Sequence, residues 1–222
     1  MCVIIAKQKS DRLPTAKELV ACFNTNPDGA GFMYLEKGQV VIDKGYMTWK
    51  TFARRYNELL KQHNNFKNEP LVIHFRIGTS GGNVAMNTHP YPISNKIDDL
   101  HKLHFKTDVG VAHNGVISDY APEGNDYNDT AEYIMSWMSN VTKFDKKFYT
   151  RRFYQDMMRQ MTYSKFAFLD KTGEIYTVGD FKTVEGLKFS NLNHLPFAER
   201  QKYEKSYSYG YSKWNGIYDA WE

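Results

Sequence analysis

Residues 70–76 read Pro-Leu-Val-Ile-His-Phe-Arg, an apolar run with no alternation of polar and apolar side chains. A strand with one wetted face alternates. A run like this one belongs to a strand covered on both faces, so the fold needs a sheet with layers above and below it. Residues 2–7 (Cys-Val-Ile-Ile-Ala-Lys) read as a second short buried strand, starting at the second residue. Thr15 caps a helix over 16–23, with Glu18 as its capping-box partner. Cys22 falls inside that helix beside Leu19 and Phe23 and reads as a buried, inert thiol. Asn26-Pro27-Asp28-Gly29 is a turn by composition. Residues 30–35 and 39–43 form a hairpin around Lys37-Gly38. Phe52, Tyr56, Leu59 and Leu60 fall at helical spacing within 48–63. A loop rich in Gly, Asn and Pro over 78–95 leads to a strand over 108–112. Helices over 129–139 and 144–161 follow, and then a hairpin of 165–169 with 174–178. This mixed order fits an α+β domain of two sheets covered by helices better than a doubly wound fold.

The chain has 222 residues, enough for one sizeable core. At 41% hydrophobic and 24% charged it is neither disordered nor fibrous. Lys+Arg 29 against Asp+Glu 25 gives +4, scattered rather than massed, which does not call for nucleic acid or an anionic membrane. No stretch reaches the roughly 18 apolar residues of a membrane span. No basic region precedes the short apolar run at the start, so a cytoplasmic protein is expected. Two cysteines cannot build a disulfide framework, and no CxxC pair offers a zinc site. His101 and His104 lack a third ligand nearby, so no metal and no cofactor is expected. A domain over 1–196 is followed by a tail over 197–222, rich in Tyr and Trp, that reads as weakly docked or as a partner-docking segment.

Four segments can carry chemistry. Loss of Met1 would leave Cys2 with a thiol and an α-amine on one residue. That amine titrates at about 7.7–8.0 and can serve as the thiol's own base. Arg76 ends a buried strand, where its planar fork meets either an internal carboxylate or a substrate's. Asn114-Gly115 is either an ordinary turn or a pair of adjacent donors for an oxyanion. Asp129 opens a helix, as a cap or as an acceptor for an ammonium group. Together they suit a free amino acid attacked at its side-chain amide.

The order of these pieces resembles the class II glutamine amidotransferase domain, an N-terminal-nucleophile hydrolase. The matching residues are Met1-Cys2, Asp28-Gly29-Ala30-Gly31, His74-Phe75-Arg76-Ile77-Gly78-Thr79, Asn87-Thr88-His89-Pro90, His113-Asn114-Gly115 and Asp129-Thr130. They run in family order across 2–180. The resemblance implies a four-layer αββα sandwich. It makes Cys2 the nucleophile and gives the oxyanion hole to the Asn114 side chain and the Gly115 N–H. Arg76 takes the substrate α-carboxylate, helped by Thr79, and Asp129 takes the α-amino group. Asp28 and His89 are structural supports. Val3 stands where the family usually has glycine, Gly78 where it often has alanine, and Ile77 where some members place an aromatic lid. A retained Met1 would put the amine on the wrong residue.

The implied function is release of ammonia from glutamine through a γ-glutamyl thioester. The chain carries no synthase motif after the domain, so a separate acceptor protein would consume the ammonia. The alternatives are hydrolysis of a γ-glutamyl amide in a small metabolite or peptide, and a non-catalytic binding module of the same fold that uses the aromatic tail. Acidic residues in that tail make nucleic acid an unlikely partner.

Overall fold

The computed structural model describes residues 1–62, 66–124 and 126–204. The elements run β1 (Val3–Lys7), α1 (Ala16–Thr25), β2 (Ala30–Glu36), β3 (Gln39–Tyr46), α2 (Trp49–Gln62), β4 (Leu71–Phe75), β5 (Tyr91–Pro92), α3 (Ile97–His101), β6 (His104–Thr107) and β7 (Val109–Asn114). Then come α4 (Asp129–Tyr133), a π-helical turn (Ile134–Met138), α5 (Ser139–Val141), α6 (Arg152–Thr162), β8 (Lys165–Asp170), β9 (Ile175–Val178), β10 (Lys182–Val184) and β11 (Leu187–Phe189). The result is a mixed α+β domain with two antiparallel sheets. The larger has the order β10-β11-β1-β4-β2-β3-β6 and the smaller β5-β7-β8-β9.

The run over 70–76 does form a central strand. β4 lies between β1 and β2, pairing Val3 with Phe75 and Ala30 with the same Phe75. Its side chains split between two cores, as a strand buried on both faces must. Ile73 and Phe75 join Leu19, Phe23, Phe52 and Leu59 of α1 and α2 on one side. Val72 joins Ile4, Met33 and Ile42 on the other, against Ala112, Ala167 and Leu169 of the smaller sheet. A third core packs the far face of that sheet, including Phe166 and Phe168, against Tyr133, Ile134, Met138 and Met158.

The α1 capping box forms as expected: Glu18 N–H donates to the Thr15 hydroxyl, and the Glu18 carboxylate accepts from Thr15 N–H. Cys22 is fully buried and its thiol is pushed up by burial. Two expectations need correction. The helix over 144–161 begins only at Arg152, because 148–150 form a 3₁₀ turn whose Phe148 and Tyr149 are buried in the third core. The helix over 129–139 is interrupted by the π-helical turn. The stretch expected as a loop over 78–95 contains the short strand β5, and β6, β10, β11 and α3 lie outside the expected elements. Residues 197–204 are helical, and the rest of the tail lies outside the described residues. No helix among the described residues is long and apolar enough to cross a membrane.

The two sheets are tied by buried histidines. Nε2 of His74 on β4 lies 2.9 Å from the carbonyl of His113 on β7. His113 N–H donates to Nδ1 of His89 at 3.2 Å, and His89 stacks on His74 with ring centroids 4.3 Å apart. Gly31 leaves room for this junction, since a Cβ there would fall 2.3 Å from the His89 carbonyl oxygen. Burial pushes His74 down to about 3 and His113 down to about 4, the latter despite Asp129 pulling it upward. The unfolded chain binds protons at these rings near pH 6.5, whereas the folded chain does not. Stability is therefore whole above pH 6.5 and is lost as pH falls toward 4 and 3. Urea unfolding should show a loss of about 2 kcal/mol per ring between pH 6.5 and 5. An unchanged midpoint over that interval would contradict neutral burial of the rings.

Candidate active site

Cys2 sits one residue ahead of β1, and Arg76 and Ile77 sit just past β4. The antiparallel register that pairs Val3 with Phe75 places them together. Ile77 N–H donates to the Cys2 sulfur at 3.3 Å, and the sulfur lies 3.5 Å from the Ile77 carbonyl oxygen. Behind Cys2, the segment after β11 holds the chain. Asn191 donates from Nδ2 to the Cys2 carbonyl, and Ile4 N–H donates to the Ser190 hydroxyl at 2.8 Å. Burial pushes the Cys2 thiol up, while the Ile77 N–H and the Arg76 charge pull the other way without overcoming it. The thiol is therefore protonated at neutral pH and needs a base to become a nucleophile.

A small pocket of about 20 Å³ is lined by Cys2, Arg76, Thr79, Gly115, Asp129 and Thr130, with His89 and His113 at its wall. Arg76 is buried, yet among the described residues no carboxylate pairs with it. Its guanidinium donates instead to Asn83 Oδ1 at 3.0 Å and to the Ser80 carbonyl at 2.9 Å. The internal salt bridge open to this arginine is thus replaced by neutral acceptors in one loop. Asp28 braces that loop: its carboxylate accepts from Gly78 N–H at 2.9 Å and from Asn83 Nδ2 at 3.2 Å. Asp129 is also buried. One carboxylate oxygen accepts from Ile117 N–H at 2.7 Å and the other from Thr130 N–H at 2.8 Å. Asn128, not Asp129, caps α4, accepting from Ala131 N–H. A buried cation and a buried anion therefore line one pocket without being paired to each other.

Like the predicted support Asp28, Asn114 does not line the pocket. Its Nδ2 donates to the Ser190 hydroxyl at 2.8 Å, and its buried Oδ1 has no partner among the described residues. Ser190 already accepts Ile4 N–H, so its own hydroxyl hydrogen is free to donate. Exchanging the amide's oxygen and nitrogen satisfies Oδ1 and releases Nδ2. Gly115 is required by packing: a Cβ there would fall 2.1 Å from the Ser164 hydroxyl oxygen. Thr79 is exposed at the rim. His89 accepts from His113 N–H and Asp28 from Gly78 N–H, so each holds neighbouring backbone. Ser190 and Asn191 escaped sequence reasoning, since they follow a three-residue strand with no motif of its own. Ser80 and Asn83 were visible only as polar residues in a glycine-rich loop. No group of three or more possible metal ligands occurs among the described residues.

No family model matches the chain, and no curated protein matches it.

Alkylation with iodoacetamide tests this environment. In the chain that retains Met1, Cys2 should react slowly at pH 7.5 and faster as pH rises past 9, because burial holds its thiol up. Cys22 should stay unmodified until the chain unfolds. Rapid neutral-pH labelling of Cys2 in that Met1-bearing chain, or labelling of native Cys22, in peptide mass spectra would contradict the assignment.

Proposed function

We propose that the chain is a glutamine amidotransferase-like hydrolase with an N-terminal cysteine nucleophile. One observation carries the reading. Buried Arg76 and buried Asp129 line the Cys2 pocket without pairing with each other. Such an arrangement suits a zwitterion, whose carboxylate and ammonium groups supply the two missing partners. The packing order of helices, large sheet, small sheet and helices also supports a four-layer αββα sandwich of the N-terminal-nucleophile type. The residue motifs that resemble the class II glutamine amidotransferase family point the same way.

Removal of Met1, which is exposed, leaves the α-amine on Cys2. That amine takes the thiol proton, directly or through a water. The thiolate attacks the glutamine δ-carbonyl, and the oxyanion is met by Gly115 N–H and by Asn114 Nδ2 once that side chain turns from Ser190 into the pocket. The C–N bond breaks, and ammonia leaves with the proton held on the α-ammonium. Water then cleaves the γ-glutamyl thioester, giving glutamate and restoring the thiol. A separate cytoplasmic acceptor protein takes the ammonia. The pocket as it stands accommodates a water rather than an amino acid. Substrate entry therefore requires the 78–83 loop to shift and hand the Arg76 guanidinium to the incoming carboxylate.

Glutamate release from glutamine tests the proposal. Cys2→Ala should abolish it. Arg76→Met and Asp129→Asn should each raise KM about 10- to 100-fold, the loss of one charge-assisted hydrogen bond worth roughly 1.5–3 kcal/mol. KM unchanged in both folded variants would overturn the zwitterion reading. Turnover of γ-glutamyl amides without turnover of glutamine would move the substrate to that class.

A further inference from the structure

An apolar groove of about 170 Å³ runs between α1 and α2, on the outer side of the larger sheet. Leu13, Leu19, Trp49, Phe52, Tyr56 and Leu60 line it. Leu13, Trp49 and Leu60 remain partly exposed there. At this size it is well below the roughly 300 Å³ of a small-molecule site. It suits single anchoring side chains.

The chain itself leads to this groove. After β11 it is fastened at Asn191, and the His194 ring stacks on Phe189, with centroids 4.7 Å apart. It then becomes helical over 197–204. Tyr203 packs against the same core as Leu13, Trp49 and Leu60, in the neighbourhood of Arg12. Arg12 immediately precedes the groove residues Leu13 and Pro14. The described chain thus ends at the edge of the groove.

Residues 205–222 follow, Lys-Ser-Tyr-Ser-Tyr-Gly-Tyr-Ser-Lys-Trp-Asn-Gly-Ile-Tyr-Asp-Ala-Trp-Glu. Eighteen extended residues reach roughly 60 Å. The 14 residues of α2 rise only about 21 Å. Reach is therefore ample. The segment is rich in amphipathic aromatic anchors, whose apolar rings favour such a groove while their polar edges stay wet.

We propose that the α1–α2 groove is the docking site of the chain's own C-terminal segment 205–222, with Trp214 and Trp221 as its anchors. The occupant is in cis, neither a second copy nor a foreign protein. It covers the apolar opening that the folded domain leaves and extends the strap that begins at Asn191.

Photo-crosslinking of the full chain tests this. Asn57 lies exposed at the groove, and p-benzoylphenylalanine is placed there. Irradiation at low micromolar concentration should join it to residues within 205–222 of the same chain, at monomer mass. The double variant Trp214→Ala, Trp221→Ala should lower that yield at least fivefold. The same probe at Phe144, 87% exposed on the opposite helical layer, should not capture the segment. Crosslinks at dimer mass, no crosslink to 205–222, equal capture from Phe144, or a yield indifferent to the two tryptophans would each overturn the proposal.

Discussion

The pairing of β1 with β4 sets the position of everything else in the site. Val3 faces Phe75 across the ladder, so the residue before one strand meets the residues after the other. Side chains alternate along a strand, and a slip of one position would turn both core faces inside out. Ile4 and Val72 face one core while Ile5 and Ile73 face another, so neither strand can shift without burying the wrong set. The hydrophobic pattern thereby fixes the Cys2 sulfur against Ile77. No specific bond at the site is needed to do so.

The proposed chemistry depends on charges that the fold leaves without opposite partners. Burying a guanidinium is costly, and neutral carbonyls compensate it less well than a carboxylate does. Arg76 nonetheless lies among neutral acceptors, in a loop that Asp28 ties back to the strand end. Asp129 is buried a short way off and spends its oxygens on backbone N–H groups. A domain selected for stability alone would pair the two. Their separation leaves a cation and an anion lining the same pocket as the Cys2 thiol.

Much of this was legible in the sequence, and the parts that were not share physical causes. Long apolar runs and the capping box at Thr15 identified β1, β4 and α1, because burial on both faces and reciprocal capping leave local signatures. The strands β10 and β11 have three residues each, too few for a period to emerge. The late start of α6 reflects tertiary override: Phe148 and Tyr149 are drawn into a core that their local spacing does not reveal. Cys2, Arg76, Thr79, Gly115 and Asp129 do converge on one pocket. Asn114 does not, because Ser190 holds its amide, and that contact spans 76 residues. Contacts of such separation have no local trace.

The central proposal is that the chain presents an N-terminal thiol in a pocket that opens to take glutamine. Intact-mass measurement before and after incubation with 6-diazo-5-oxo-norleucine tests it most directly. The account predicts a chain lacking Met1 that gains one adduct, with no adduct in Cys2→Ala. Retention of Met1, or a folded Met1-free chain that gains no adduct, would contradict it.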